Sequence, residues 1–244
     1  MLHISIKAEE VFRVFGFPIT NSLLSTYILI IFFIFLFFFY KFEPAKNKVN
    51  FFISFILNGV YEFFETITGD KNNELFLLLS SFFFFIILSN WFGLLPGVGS
   101  IVLHTVHEGV IESTPILRAG TADLNGTLAL AIISVIMIQF YGIKYCGLLG
   151  YIKKFVNFSN PINFVLGFFE FFSEISRVLS FSFRLFGNIF AGEVLMAVMA
   201  FLVPVLASFP FLLLEIFVGF IQALVFTMLT GVFISMATVS HDEH

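Results

Sequence analysis

Five apolar stretches set the pattern of hydrophobic and polar positions, at residues 23–40, 75–95, 124–141, 164–205 and 209–239. About 20 apolar residues cross a hydrocarbon core of about 30 Å, so each of the first three fits one crossing. A lone crossing segment in lipid must satisfy its own backbone, which predicts helices rather than strands. The fourth stretch is longer. Some 40 residues of helix would reach about 60 Å, and no proline interrupts them before Pro204. Without a breaker, the pattern predicts one long helix inclined to the bilayer normal. A turn near 204–210 and a second inclined helix packed against the first should follow. Residues 50–68 are apolar but carry Glu62 and Glu65, which predicts a helix lying on the inner interface.

The fold class expected is therefore all-α, a polytopic membrane protein with about five spans and an interfacial helix. The organisation follows: an outer segment 1–22, a first span 23–40, an inner loop 41–74, a second span 75–95 and an outer loop 96–123. A third span at 124–142, an inner loop 143–163, a helical hairpin 164–239 and an inner tail 240–244 complete it. Lysines set the orientation. Lys41, Lys46, Lys48, Lys71, Lys144, Lys153 and Lys154 fall on one side, against Lys7, Arg13 and Arg118 on the other. The N-terminus is expected outside and the tail inside. The first apolar stretch follows a mixed-charge segment (Lys7, Glu9, Glu10, Arg13) and precedes Lys41-Phe-Glu-Pro44, unlike a cleaved signal.

Composition supports lipid as the main solvent. The chain is 59% hydrophobic and 11% charged, with mean hydropathy +1.03, whereas a soluble domain carries about 25% charged residues. The 40 phenylalanines fill spans where any large apolar residue serves. Cys146 is alone, so no disulfide framework is implied. A net charge of -4 without a basic patch gives no sign of a nucleic-acid partner. His104, His107, Glu108 and Glu112 lack the spacing of a common zinc motif. No metal or cofactor is expected, and the His241–His244 tail reads as a polar end.

Charge inside the apolar stretches carries the chemistry. A charged side chain at the bilayer centre costs about 2.5–3.5 kcal/mol on insertion scales. Glu170, Glu174, Arg177, Arg184, Glu193 and Glu215 all lie there. They either pair to fix packing or mark an ion path. Packing alone would use Ser, Gly or Ala. At 100° per residue, Arg177, Arg184 and Asn188 fall within about 40° of Glu170. A stripe of small residues runs beside them: Ser173, Ser176, Ser180, Gly187 and Ala191. Glu193 comes nine residues after Arg184, about 180° around the helix, so it cannot share the seam that Arg184 faces. In the last helix Glu215 and Gln222 are seven apart and share a face. An antiparallel hairpin brings Glu193 and Glu215 to similar distances from the turn. Two carboxylates in one low-dielectric site would titrate as a unit. Asp123 and Asn125 open the third span as a cap. Gly93 and Gly97, with Pro96 between them, read as a turn at a span end.

The run from Ser180 to Glu193, Ser-Phe-Ser-Phe-Arg-Leu-Phe-Gly-Asn-Ile-Phe-Ala-Gly-Glu, closely resembles the signature of subunit a of F-type ATP synthases. Supporting matches are Glu170, Ser173 and Arg177; Asn90-Trp-Phe-Gly-Leu-Leu-Pro96; Thr121-Ala-Asp-Leu-Asn125; and Gln222. The resemblance covers nearly the whole chain. It implies that Arg184 is the essential stator arginine facing the carboxylates of a c-ring, with aqueous half-channels reaching that ring from opposite sides. Asn188, Glu193, Glu215 and Gln222 resemble the outer access path, and Glu170, Ser173 and Arg177 the inner one. Family members often place a histidine and a glutamate where this sequence has Glu193 and Glu215, which raises the coupled carboxylates as a local solution. The implied partners are the c-ring, the peripheral-stalk subunit b and membrane lipid. The subunit is not catalytic by itself, and the ion is expected to be the proton. The Thr114-Pro-Ile-Leu-Arg-Ala-Gly-Thr-Ala-Asp-Leu-Asn125 run leans towards a bacterial plasma membrane rather than a mitochondrial one.

Two other functions fit the pattern less well. A stand-alone channel or secondary transporter tends to show internal repeats with interrupted helices, and none is visible. An intramembrane hydrolase needs a base beside its nucleophile, and no span holds a histidine.

Overall fold

Among the described residues the apolar pattern gives seven α-helices: α1 (Asn21–Phe42), α2 (Lys48–Thr68), α3 (Asn72–Phe92), α4 (Leu124–Cys146), α5 (Leu148–Phe155), α6 (Pro161–Leu202) and α7 (Ser208–Ala237). The computed structural model describes residues 8–42, 48–95, 97–98, 101–107, 110–155, 161–203 and 208–238. Among them five helical stretches are long and apolar enough to cross a membrane: Asn21–Phe42, Lys48–Phe92, Leu124–Cys146, Phe164–Leu202 and Phe209–Ala237. The protein is all-α in its spans and polytopic, as expected. Residues 204–207 of the turn expected near 204–210 lie outside the described residues, as do Pro96, Lys7, Lys46, Glu108 and the 240–244 tail, while 208–210 already belong to α7.

α6 is unbroken over 42 residues. At 1.5 Å per residue it is about 63 Å long, twice a hydrocarbon core, so it cannot stand upright in one. α7 runs antiparallel to it. The cation of Arg177 lies 3.9 Å from the Phe233 ring centroid, the Phe181 ring packs tilted on Phe226 at 5.1 Å between centroids, and Asn188 meets Gln222 at 2.7 Å. α3 also runs antiparallel to α7, through Asn90 to the Gly219 carbonyl at 3.0 Å and Phe82 to Phe226 at 5.6 Å. Helix α7 is thus the axis of the bundle. Glycines on it allow close approach: a Cβ at Gly219 would lie 3.2 Å from Asn90, and one at Gly231 would lie 3.3 Å from Leu79. Phe64, Leu79, Ile86, Ile138, Phe226 and Ile234 form the heart of the core, each almost fully buried.

Two elements depart from the pattern. β1 (Glu10–Val14) and β2 (Phe17–Thr20) make an antiparallel hairpin before α1, and β3 (Val102–His107) and β4 (Val110–Pro115) make another between α3 and α4. The first closes on Phe15 (φ 49°) and Gly16 (φ 83°), both left-handed, as a two-residue hairpin turn requires. The side chains of His104, His107 and Glu112 on the second hairpin are not among those described. α2 runs through a single 3-10 turn (Gly69–Lys71) into α3, so the two helices form a continuous bent element. Asn72 holds the bend, donating to the Tyr61 carbonyl at 3.1 Å and accepting from Thr68 at 3.1 Å.

Among the described residues the lysines gather at one end. Lys144 pairs with Glu74 at 2.7 Å, and Lys71 reaches Thr238 at the end of α7 while lying 4.6 Å from the Tyr145 ring centroid. Arg118 and both hairpins belong to the other end, where α1 begins and α3 finishes.

Candidate ion path

The open face of α6 carries Arg184. Its neighbours Phe181, Ser182 and Leu185 are buried, whereas Ser180, Arg184 and Asn188 are exposed. Helical spacing puts these three along one stripe. Arg184 Nη2 donates to Ser180 Oγ at 3.2 Å, and among the described residues no carboxylate pairs with it. Its depth follows from packing. Phe181, one turn back, contacts Phe226, which contacts Phe82 at the middle of α3. Arg184 therefore sits about midway along the bundle.

A cleft of about 290 Å³ runs along α6 from Arg184 towards Arg177, lined by Ser173, Ser176, Ser180, Phe181, Leu229 and Phe233 besides the two arginines. Such a volume, with hydroxyls and guanidinium groups on its wall, can hold several waters. Arg177 donates to both carboxylate oxygens of Glu174 at 2.8 Å. Glu174 is buried and Glu170 half-buried. Beneath this pair, Tyr151 of α5 donates to Gln139 at 2.6 Å. Burial first, then the charge of Glu174, pushes the Tyr151 hydroxyl up to about 12, so it remains a donor.

The opposite face of α6 meets a different network. Glu193 points to Arg118, with Nε at 3.1 and 3.2 Å from its two oxygens and Nη2 at 2.7 Å from Oε2. The segment bearing Arg118 continues into a 3-10 turn (Gly120–Ala122) and ends on Asp123, which caps α4 by accepting from the Asn125 amide at 3.1 Å. Asp123 also accepts from Ser22 at 2.9 Å. Thr121 donates to Asn90 at 2.7 Å. Irregular backbone at membrane depth is tolerated where it is buried in protein. Here small residues permit it: a Cβ on Gly93 would meet Ala119 at 2.7 Å, and one on Gly120 would meet Thr26 at 2.8 Å.

On α7, Gln222 is buried and accepts from Asn188, while its Nε2 has no hydrogen-bond partner among the described residues. Glu215 is buried with its carboxylate against Gly192. The expected site residues thus divide into two groups. Asn188, Glu193, Glu215 and Gln222 gather where α6 and α7 meet towards the hairpin end. Ser173 and Arg177 line the cleft on the other side of Arg184, one turn and two turns beyond Glu170.

Three features differ from expectation. Glu193 and Glu215 come to neighbouring positions, but Arg118 takes the charge of Glu193, so they are not an isolated carboxylate pair. Arg177 pairs with Glu174, a charge to which the sequence reading gave no place on the ion path. Arg118 itself was read as a loop cation marking the outer side, and it is buried. The usable signal was its setting among Ala119, Gly120 and Ala122, small enough to carry a loop inward.

Residues 22–235 match the family model described as ATP synthase A chain. The chain is similar to the ATP synthase subunit a of Gloeobacter violaceus, 38% identical over 158 residues, which is 65% of this chain and 58% of that protein. It is also similar to the subunit a of Campylobacter jejuni, 38% identical over 153 residues, covering 62% and 66% respectively. With that of Syntrophobacter fumaroxidans it shares 34% identity over 193 residues, covering 79% and 72%. The match spans less than two thirds of the length of the first two relatives.

Proposed function

The chain belongs to the ATP synthase A chain family, and we propose that it is the static ion-channel subunit of an F-type ATP synthase, with Arg184 as its stator arginine. The observation that carries this reading is an arginine at mid-depth, on an uncovered face of α6, whose hydrogen bond within the described residues goes only to a hydroxyl. A cation so placed at mid-depth implies a partner that brings the anion.

That partner is a ring of proteolipid subunits with a carboxylate on each. A guanidinium stays protonated under any working condition, so it can hold a carboxylate without itself carrying protons. An arriving ring carboxyl gives up its proton towards one half-channel before it pairs with Arg184, and the fixed charge blocks direct leakage between the two sides. The inner half-channel is the cleft lined by Ser173 and Arg177, with Glu170 at its mouth. The outer one passes Glu193, Glu215, Gln222 and Asn188. The transmembrane potential supplies about 2.3 kcal/mol per charge per 100 mV, enough for several protons per turn to drive ATP synthesis in the attached catalytic sector. The lysine-rich end faces inside, α2 rests on the inner interface, a b-type stalk subunit holds the chain static, and the membrane is a bacterial plasma membrane.

Arg184→Ala is expected to abolish ATP-driven proton pumping in membrane vesicles while leaving the complex assembled. Normal coupled pumping by that variant would refute the assignment.

A further inference from the structure

Arg118 is 6% exposed, although it stands on an irregular segment. A guanidinium at such depth is unfavourable unless paired. Its backbone amide donates to Ser25 of α1 at 3.2 Å, and its side chain grips Glu193 through the three contacts above. Asp123, the next acid on the same segment, is engaged by Ser22 and Asn125. The elements packed around this level add few other charges. Lys41 on α1, Glu74 on α3 and Lys144 on α4 are each the sole charged residue of their helix and lie at the far end. Arg184 points from the opposite face of α6. Glu215 is the sole charge on α7; it is 6% exposed and has no hydrogen-bond partner among the described residues.

We propose that Arg118 is a positioning residue of the ion path: it fixes Glu193 as a static anion and leaves Glu215 as the carboxyl that takes up and releases the translocated proton. This rests on the reading that Glu193 and Glu215 line the outer access path. In the step so assigned, the Glu215 carboxylate accepts a proton from water on one side and returns to carboxylate by passing it to the ring carboxylate. Glu193 stays paired with Arg118 and takes no part in that transfer.

The test uses ATP-driven proton pumping in inverted vesicles carrying the whole complex, normalised to the amount of complex assembled. Glu193→Gln strands the buried Arg118 guanidinium, and Arg118→Gln leaves the half-buried Glu193 carboxylate without its cation; each is expected to lower pumping by about tenfold. The double variant removes both charges and is expected to recover to within about threefold of the unaltered complex, the non-additivity that a direct pair produces. Glu215→Gln is expected to stop pumping in either background. A double variant no better than the weaker single one, or pumping that survives Glu215→Gln, overturns the proposal. If Arg118→Gln fails to assemble, Arg118→Lys keeps the charge without the forked grip and is expected to lose about threefold; full pumping by it overturns the proposal as well. Arg184→Ala is measured alongside. Pumping retained there removes the underlying reading, whereas an unrescued double variant with Arg184→Ala inactive removes only the role of Arg118.

Discussion

The carboxylate of Glu215 rests on Gly192: a Cβ at that glycine would lie 2.1 Å from Oε2 and 2.2 Å from Cδ. The absent side chain lets the one charge of α7 reach α6 immediately before Glu193. Gly192→Ala should therefore displace Glu215 rather than unfold the helix pair, because the far end of a flexible side chain can swing aside. Assembly is expected near normal and proton pumping down about tenfold or more. Gly142→Ala provides the contrast. Its Cβ would meet the Tyr151 ring at 2.4 Å, and a packed ring cannot yield so easily. Overpacking of about 1–3 kcal/mol is expected there, read as a lower melting temperature with near-normal pumping per assembled complex.

Helix α4 is joined to α7 by a hydroxyl pair. Thr230 donates to the Phe226 carbonyl at 2.9 Å, so Ser134 is the donor in the 2.8 Å contact between their hydroxyls. A double-mutant cycle with Ser134→Ala and Thr230→Val should give a coupling of about 0.6 kcal/mol, the average for such bonds between membrane helices. Thermal unfolding in detergent measures it, and a coupling near zero would mean that the contact adds nothing to packing.

Orientation is checked by labelling. In a Cys146→Ser background, Phe15→Cys places a thiol at the fully exposed tip of the first hairpin, and Lys144→Cys places one at the lysine-rich end. A membrane-impermeant maleimide added to intact cells should label the first and reach the second only after permeabilisation. The reverse result would invert the topology.

The spans were legible because lipid imposes length and apolarity on each segment separately. The unbroken α6, the opposed faces of Arg184 and Glu193, and the Asp123 cap all follow from local periodicity. Arg118 was not legible in this way. Its partner is 75 residues away in sequence, and a loop cation looks solvated until tertiary packing draws the loop inward. The Glu174–Arg177 pair was within reach at i,i+3 spacing, yet Glu170 stood closer to the stripe by angle. The hairpins were missed because strands of four to six residues leave little alternation to read between spans.

Tyr151 gives a pH dependence outside the spans. Its ordinary value is 10.0 and the fold raises it to about 12, so the neutral form is favoured in the folded state. The sign follows: this contribution is fully present below pH 10 and is lost as pH climbs from there towards 12. Tyr151→Phe should flatten that alkaline decline in the melting temperature of the purified complex, and an unchanged slope would assign the decline to other groups.

Helix α6 also serves as a ruler. Arg184 and Glu193 are separated by nine residues of continuous helix, about 13.5 Å along its axis, with no hinge between them. Whatever slides past its uncovered side, the two marks keep one spacing and opposite bearings. On the proposed function, the lateral step between the way in and the way out is thus engraved in a single stiff rod, and loops at either surface can vary without resetting it.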